Sequence, residues 1–294
     1  MELPLIVGVD GSESSLRAVD WAVDEADRLR LTVRLVHASL WEYYEGAGLP
    51  FTPATTSPHG IGDQAGHIVA AAVDRAGRRN PEVKVDTEVL AEDTEAALLR
   101  AARNATALVT GSRGRGPLAG LLLGSVSLAL ASRAPCPVIV VRGSEIAGNA
   151  EHGRILLGVG DATTGSAAIR FAFREAAARR CTLDAVRAWR CPAHATADHP
   201  LLTGTQARQH KEHASVLLDD ALRIPVCDHP EVAVRRAVVE GHAHKVLTDR
   251  SAAADLLILG ARRRHGHIGL QLGRVAHTLL HHADCPVAVV PQRG

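Results

Sequence analysis

The sequence predicts an α/β protein of two tandem domains, each an open parallel sheet of five strands flanked by helices. Three observations carry this. The chain repeats itself at a nearly constant offset, each copy alternates short apolar runs with helical patterns, and the fourth apolar run of each copy breaks into a glycine-bearing loop that reopens as a helix. The repeat is explicit. Leu5-Ile-Val-Gly-Val9 returns as Ile155-Leu-Leu-Gly-Val159, Ala18-Val-Asp-Trp-Ala22 as Ala168-Ile-Arg-Phe-Ala172, and Leu31-Thr-Val-Arg-Leu-Val36 as Cys181-Thr-Leu-Asp-Ala-Val186, all at an offset of 150. Leu108-Val-Thr-Gly111 returns as Leu257-Ile-Leu-Gly260 and Cys136-Pro-Val-Ile-Val-Val141 as Cys285-Pro-Val-Ala-Val-Val290, at an offset of 149.

In the first copy the apolar runs place strands near 3–9, 32–37, 83–90, 106–110 and 137–141, with helices near 13–29, 61–79, 94–103 and 124–133. Asp10-Gly11-Ser12 supplies turn and cap chemistry between the first strand and helix, and Asp93 or Thr94 caps the third helix. The second copy repeats this order after a polar linker, 143–153, so the domains are read as 1–145 and 150–294. Trp41 to Gly60 and its counterpart Arg190 to Thr203 are long loops, of the length that serves as lids or binding loops or else is poorly ordered.

Composition limits the function classes. A chain of 294 residues with 46% hydrophobic residues, 3% aromatic residues and a net charge of +1 describes two globular domains and gives no reason to expect nucleic acid or an anionic membrane as the main partner. Met1 runs directly into a strand pattern, so no leader is expected, and no apolar stretch approaches 18 residues. Five cysteines without a C-x-x-C pair point to a reducing, cytoplasmic setting, with Cys136 and Cys285 as small buried thiols.

The candidate site lies in Gly111 to Ser127, a strand end, a glycine-rich loop and a helix start in succession. Such a loop aims backbone N–H groups and the positive end of a helix dipole at one point, which suits a phosphate chain. Gly111, Gly114 and Gly124 would permit positive φ or close approach to a ligand, and Ser125 adds a hydroxyl at the helix start. Other phosphate motifs fit less well. Gly114-Arg-Gly-Pro-Leu-Ala119 matches a bare dinucleotide fingerprint, yet it follows the fourth strand and puts Pro117 where that motif starts its helix, and no G-x-x-x-x-G-K-[ST] run exists. A flexible connection, an Asp10 that only caps a helix, and solvated loop arginines at Arg113 and Arg115 are the plainer alternatives.

The spacing Gly111-x2-Gly114-x9-Gly124-Ser125, with Asp10 at the end of the first strand, resembles the ATP-binding pattern of the universal stress protein family. The tandem repeat is similar to the family's two-domain bacterial form, and the resemblance covers nearly the whole chain. It implies domains of the adenine-nucleotide α-hydrolase-like, Rossmann-like type, with ATP over the carboxyl ends of the strands. By position it implies Asp10 beside the nucleotide and able to support magnesium, Ala38 offering backbone to adenine, and Gly111 facing the ribose. Gly114, Ser125, Val126 and Ser127 would then bind the triphosphate through backbone N–H and hydroxyl groups. It also implies that the last strands, Val138 to Val141 and Val287 to Val290, join the copies as an internal pseudo-dimer, with a homodimer as a further option.

The second copy departs from the pattern. Arg263 stands at the second glycine, Arg274 at the serine, and Gly160 at the Asp10 position with Asp161 displaced by one. This half is therefore not expected to bind ATP in the family manner, although a guanidinium retains some attraction for phosphate. His277 and His281 share a helical face near His282 and Asp284, and His242-Ala-His244 and His265-Gly-His267 form further pairs, but no third or fourth ligand has metal-site spacing. No metal is assigned. Nor does a nucleophile, base and orienting group assemble near the loop, so no dedicated catalysis is assigned. The leading reading is a cytosolic ATP-binding stress-response regulator with an unknown protein partner. A slow ATPase or adenylyl-type enzyme at the same site, or an interaction scaffold without nucleotide, are the alternatives.

Overall fold

The computed structural model describes residues 3–40, 62–112, 123–142, 152–160, 166–191, 203–262 and 272–292. Two compact units divide the chain, Met1–Val141 and Arg142–Gly294. The first unit runs β1 (Leu5–Gly8), α1 (Glu13–Leu29), β2 (Val33–Ala38), α2 (Gly62–Arg79), β3 (Val85–Leu90), α3 (Thr94–Ala101), β4 (Ala107–Gly111), α4 (Ser125–Arg133) and β5 (Val138–Val141). The third helix closes sooner than its sequence pattern suggests, because Ala102–Asn104 tightens into a 3-10 turn.

All pairings in this unit are parallel, in the order β3-β2-β1-β4-β5. The order places β1 and β4 side by side with Leu5 opposite Ala107 and Val7 opposite Val109. The chain leaves them in opposite directions across the sheet, so a crevice opens beyond their carboxyl ends, the place where open α/β sheets hold ligands. Both strands are buried along nearly their whole length, and β5 is buried throughout, as continuous Val/Ile/Leu runs in a parallel sheet require. β3 is the half-exposed edge.

Helix α1 shows why the sequence folds as it does. Ser12 caps it by accepting from the Ser15 N–H, and Ala18, Val19, Ala22, Val23 and Ala26 form the stripe it buries. It ends at Arg30 in the left-handed region (φ 54°), with the Leu31 N–H bonded back to Ala26 O at 2.8 Å. That closure usually takes glycine, and a side chain there costs about 1–2 kcal/mol. α1 packs against α2, where Arg75 grips Asp20 and Arg79 grips Asp24, each through two guanidinium nitrogens. α3 packs against α4.

The second unit repeats the plan with β6 (Arg154–Gly158), α5 (Ser166–Arg179), β7 (Thr182–Trp189), α6 (Thr203–Asp228), β8 (Val234–Glu240), α7 (Ala243–Ser251), β9 (Leu256–Arg262), α8 (Arg274–His282) and β10 (Val287–Gln292). Its strand order is β8-β7-β6-β9-β10, again all parallel. The duplication extends to the strained helix closure, since Arg180, at the position of Arg30, has φ 50°. Cys136 and Cys285 are buried, which raises their thiol pKa values to about 11 and about 12. Among the described residues, no helix is long and apolar enough to cross a membrane.

Candidate functional site

Asp10 follows β1, Gly111 ends β4 and Ala38 ends β2, so these three expected residues stand at the carboxyl ends of neighbouring parallel strands. Asp10 follows β1 in a turn made by Gly11, whose φ of 75° is one a side chain would resist. The Asp10 Oδ1 accepts from the Ser12 N–H at 2.9 Å and from its hydroxyl at 2.6 Å, so the carboxylate holds the turn while Ser12 does the capping. Asp10 Oδ2 carries no hydrogen bond among the described residues. Beside this turn the buried His37 donates from Nδ1 to Val9 O at 2.8 Å, the only role a carbonyl leaves to that nitrogen. Ala38 is buried at the end of β2, and its carbonyl accepts from the Thr94 hydroxyl at 2.8 Å, which leaves one lone pair for another donor.

The residues that flank 113–122 are tied together: the Ser112 N–H donates to Val141 O and the Gly124 N–H to Ser112 O at 2.9 Å. Gly114, with Arg113 and Arg115, lies outside the described residues. Gly124 is the N-cap of α4 and makes no side-chain cap, so the first-turn N–H groups of Ser125, Val126 and Ser127 meet no capping oxygen from the described residues. Those N–H groups and the helix dipole attract negative charge. Ser125 is exposed at this point and Ser127 is buried.

Of the two roles expected for these glycines, positive φ or close approach to a ligand, neither Gly111 nor Gly124 takes the first; Gly124 has φ −63°. Gly111 is required for another reason: a Cβ there would lie 2.5 Å from both Ser14 O and Ser14 Oγ, in the first turn of α1. The residues that sequence reasoning missed are the buried polar ones around Gly111. Ser127 Oγ donates to Gly111 O at 2.8 Å and lies 3.2 Å from Thr110 Oγ1, with Ser14 buried alongside Gly111. Thr110 passes for strand and Ser14 for helix in the sequence. Their one signal is a comparison of the copies, where Thr110 and Ser127 become Leu259 and Ala276.

The sequence profile of the universal stress protein family matches residues 3–142 and again 151–291. The chain belongs to the universal stress protein family. A universal stress protein of Mycobacterium tuberculosis is 31% identical over 296 residues, covering 98% of this chain and 97% of its own length. The crystal structure of a universal stress protein from Archaeoglobus fulgidus covers 99% of this chain and 98% of its own at a TM-score of 0.67 and 16% identity, a likeness of fold. A further universal stress protein, solved in complex with cAMP, matches 48% of this chain and 98% of its own at 28% identity and a TM-score of 0.36.

Within this universal stress protein the second unit differs at the matching places. α8 starts at Gly273, again without a side-chain cap, but its first residue is the exposed Arg274, a cation at the positive end of the dipole. Leu259 and Ala276 stand where the first unit has the Thr110 and Ser127 hydroxyls, and Gly160 O is taken by the Arg187 guanidinium. Arg263, Asp161, His265 and His267 lie outside the described residues. The rings of His242 and His244 sit 5.4 Å apart, with an Arg190 nitrogen 2.6 Å from His242 Nε2; this guanidinium, first among the causes, holds His242 below the ordinary histidine range. No group of three or more His, Cys, Asp or Glu able to hold a metal forms among the described residues.

His277 and His281 stack on one face of α8 with ring centroids 4.7 Å apart. Burial, then His277, His282 and Arg142, hold His281 below the usual histidine pKa of 6.5. The unfolded chain takes up this proton near pH 6.5 while the folded unit resists it, so the contribution to stability is complete above that pH and is lost as pH falls below it. The melting temperature is expected to drop between pH 7.5 and 5.5 more in the wild type than in His281→Gln, as followed by circular dichroism.

Proposed function

We propose that the first unit binds ATP and that nucleotide occupancy regulates the protein, as a stress-response switch rather than as a dedicated enzyme. The observation that supports this best is the start of α4, three first-turn N–H groups that meet no capping side chain among the described residues, following β4, which pairs with the β1 that Asp10 follows. The residues fit a magnesium-bound triphosphate. Ser125 adds an exposed hydroxyl, Asp10 keeps one carboxylate oxygen for a cation, and Ala38 ends β2 with backbone that can meet adenine. Gly111 lets α1 close in, and Gly114, outside the described residues, joins the set by its place in the motif alone.

A ligand favoured by one conformation shifts the population toward it, which is the mechanism proposed here. The second unit, with Arg274 at the start of α8 and Leu259 and Ala276 in place of the two hydroxyls, serves as the unliganded half. Amide hydrogen exchange with and without magnesium-ATP tests this. Protection is expected over Gly124 to Leu128 and none over Gly273 to His277. Protection of both segments, or of neither, would overturn the assignment.

A further inference from the structure

The hydroxyl of Ser127 is committed to the end of β4. A serine hydroxyl has one proton, and at 2.8 Å from Gly111 O that proton is donated to the carbonyl. Thr110 Oγ1 lies 3.2 Å from Ser127 Oγ and 3.3 Å from Gly111 O, so it donates into the same point. A phosphate oxygen accepts only, so it cannot be served by a proton already given away. The three groups are almost fully enclosed, with Thr110 7% and Ser127 4% exposed, which makes the chain of hydroxyls stiff and costly to break.

The geometry points to Ser127 and Thr110 as positioning residues: their hydroxyls clamp the first turn of α4 to the end of β4, so that the N–H groups of Ser125, Val126 and Ser127 are already aimed when a phosphate chain arrives. Gly111 sits at the centre of the clamp. It receives the hydroxyls from one side and, lacking Cβ, lets Ser14 of α1 close in from the other. The same α1 carries the Ser12 cap that Asp10 holds, so both halves of the candidate site rest on one buried polar point. The second unit supplies a built-in comparison. Leu259 and Ala276 replace the two hydroxyls there with apolar groups, and the unit keeps the same strands and helices. These strands and helices thus form in the second unit without the two hydroxyls, and in the first unit the hydroxyls serve the aim of the first turn of α4.

This inference rests on the ATP reading for its purpose, but its geometry can be tested without nucleotide. In full-length Ser127→Ala, without ATP, the amides of Gly124 and Leu128, bonded to Ser112 O and Gly124 O, are expected to exchange about tenfold faster by NMR. ATP affinity is expected to fall about tenfold while adenosine affinity stays unchanged, since only the phosphates meet α4. Thr110→Val, which removes one donor and keeps the shape, should show the same pattern at about threefold. Loss of ATP affinity with unchanged exchange in both variants would make the Ser127 hydroxyl a direct ligand and overturn the positioning role, as would no change in either quantity. Should the wild type bind no ATP, the proposed function fails, while the exchange rates still decide whether the clamp positions the helix.

Discussion

Gly111→Ala is expected to destabilise the first unit by about 3 kcal/mol and to abolish nucleotide binding, the upper end of what overpacking a tight interior costs. The added methyl would lie 2.5 Å from Ser14 O and 2.6 Å from Ser14 C, backbone atoms of α1 that cannot step aside as a flexible side chain does. Either α1 lifts, taking the Asp10 turn with it, or β4 shifts and breaks its pairing with β1 and β5. Hydrogen exchange at Leu108 and Val109 in the middle of β4 would show the loss directly. Gly66→Ala is the matching control. Nothing lies within 4 Å of a Cβ there, and alanine in a helix interior is favoured over glycine by about 0.5–1 kcal/mol, so that variant should be slightly more stable than the wild type. Equal destabilisation by both substitutions would show that the close approach of Ser14 is not what Gly111 provides.

Gly114→Arg, which copies Arg263 of the second unit into the first, is expected to leave folding intact and to weaken ATP at least about 100-fold, roughly 2.7 kcal/mol. The second unit keeps its fold with arginine at that place, so the substitution is one this architecture accepts. On the proposed function, an arginine in place of this glycine crowds the phosphates, and its charge does not replace the backbone donors proposed to hold them. Calorimetric titration with magnesium-ATP, together with circular dichroism to verify the fold, reads both halves of this prediction. Retained affinity would mean that the loop glycine is not the element that separates the two units.

The fold was open to reading because the duplication supplies its own control. An apolar run that returns at a constant offset, with the same neighbours, is a strand or helix in both places, and parallel buried strands write themselves as unbroken Val/Ile/Leu runs. The site was only partly open. Motif spacing and the family resemblance name Asp10, Ala38, Gly124 and Ser125, and these lie at strand ends or at the start of α4, while their binding roles remain the proposal. The reason for Gly111 could not, because contact with Ser14, nearly a hundred positions earlier in the chain, leaves no local trace. Thr110 and Ser127 look like a strand residue and a helix residue, and their shared bond to Gly111 O exists only once β4 and α4 are side by side. The left-handed Arg30 and Arg180 were hidden for a different reason: glycine is the residue that announces that closure, and here two arginines carry it.

The measurement that tests the central claim most directly is the number of ATP molecules bound per wild-type chain, by calorimetry with magnesium present. One per chain, falling to none in Gly114→Arg, is the result expected if the first unit alone holds nucleotide. Two per chain would show that Arg274 and the missing hydroxyls leave the second unit competent, and none would remove nucleotide from the account altogether.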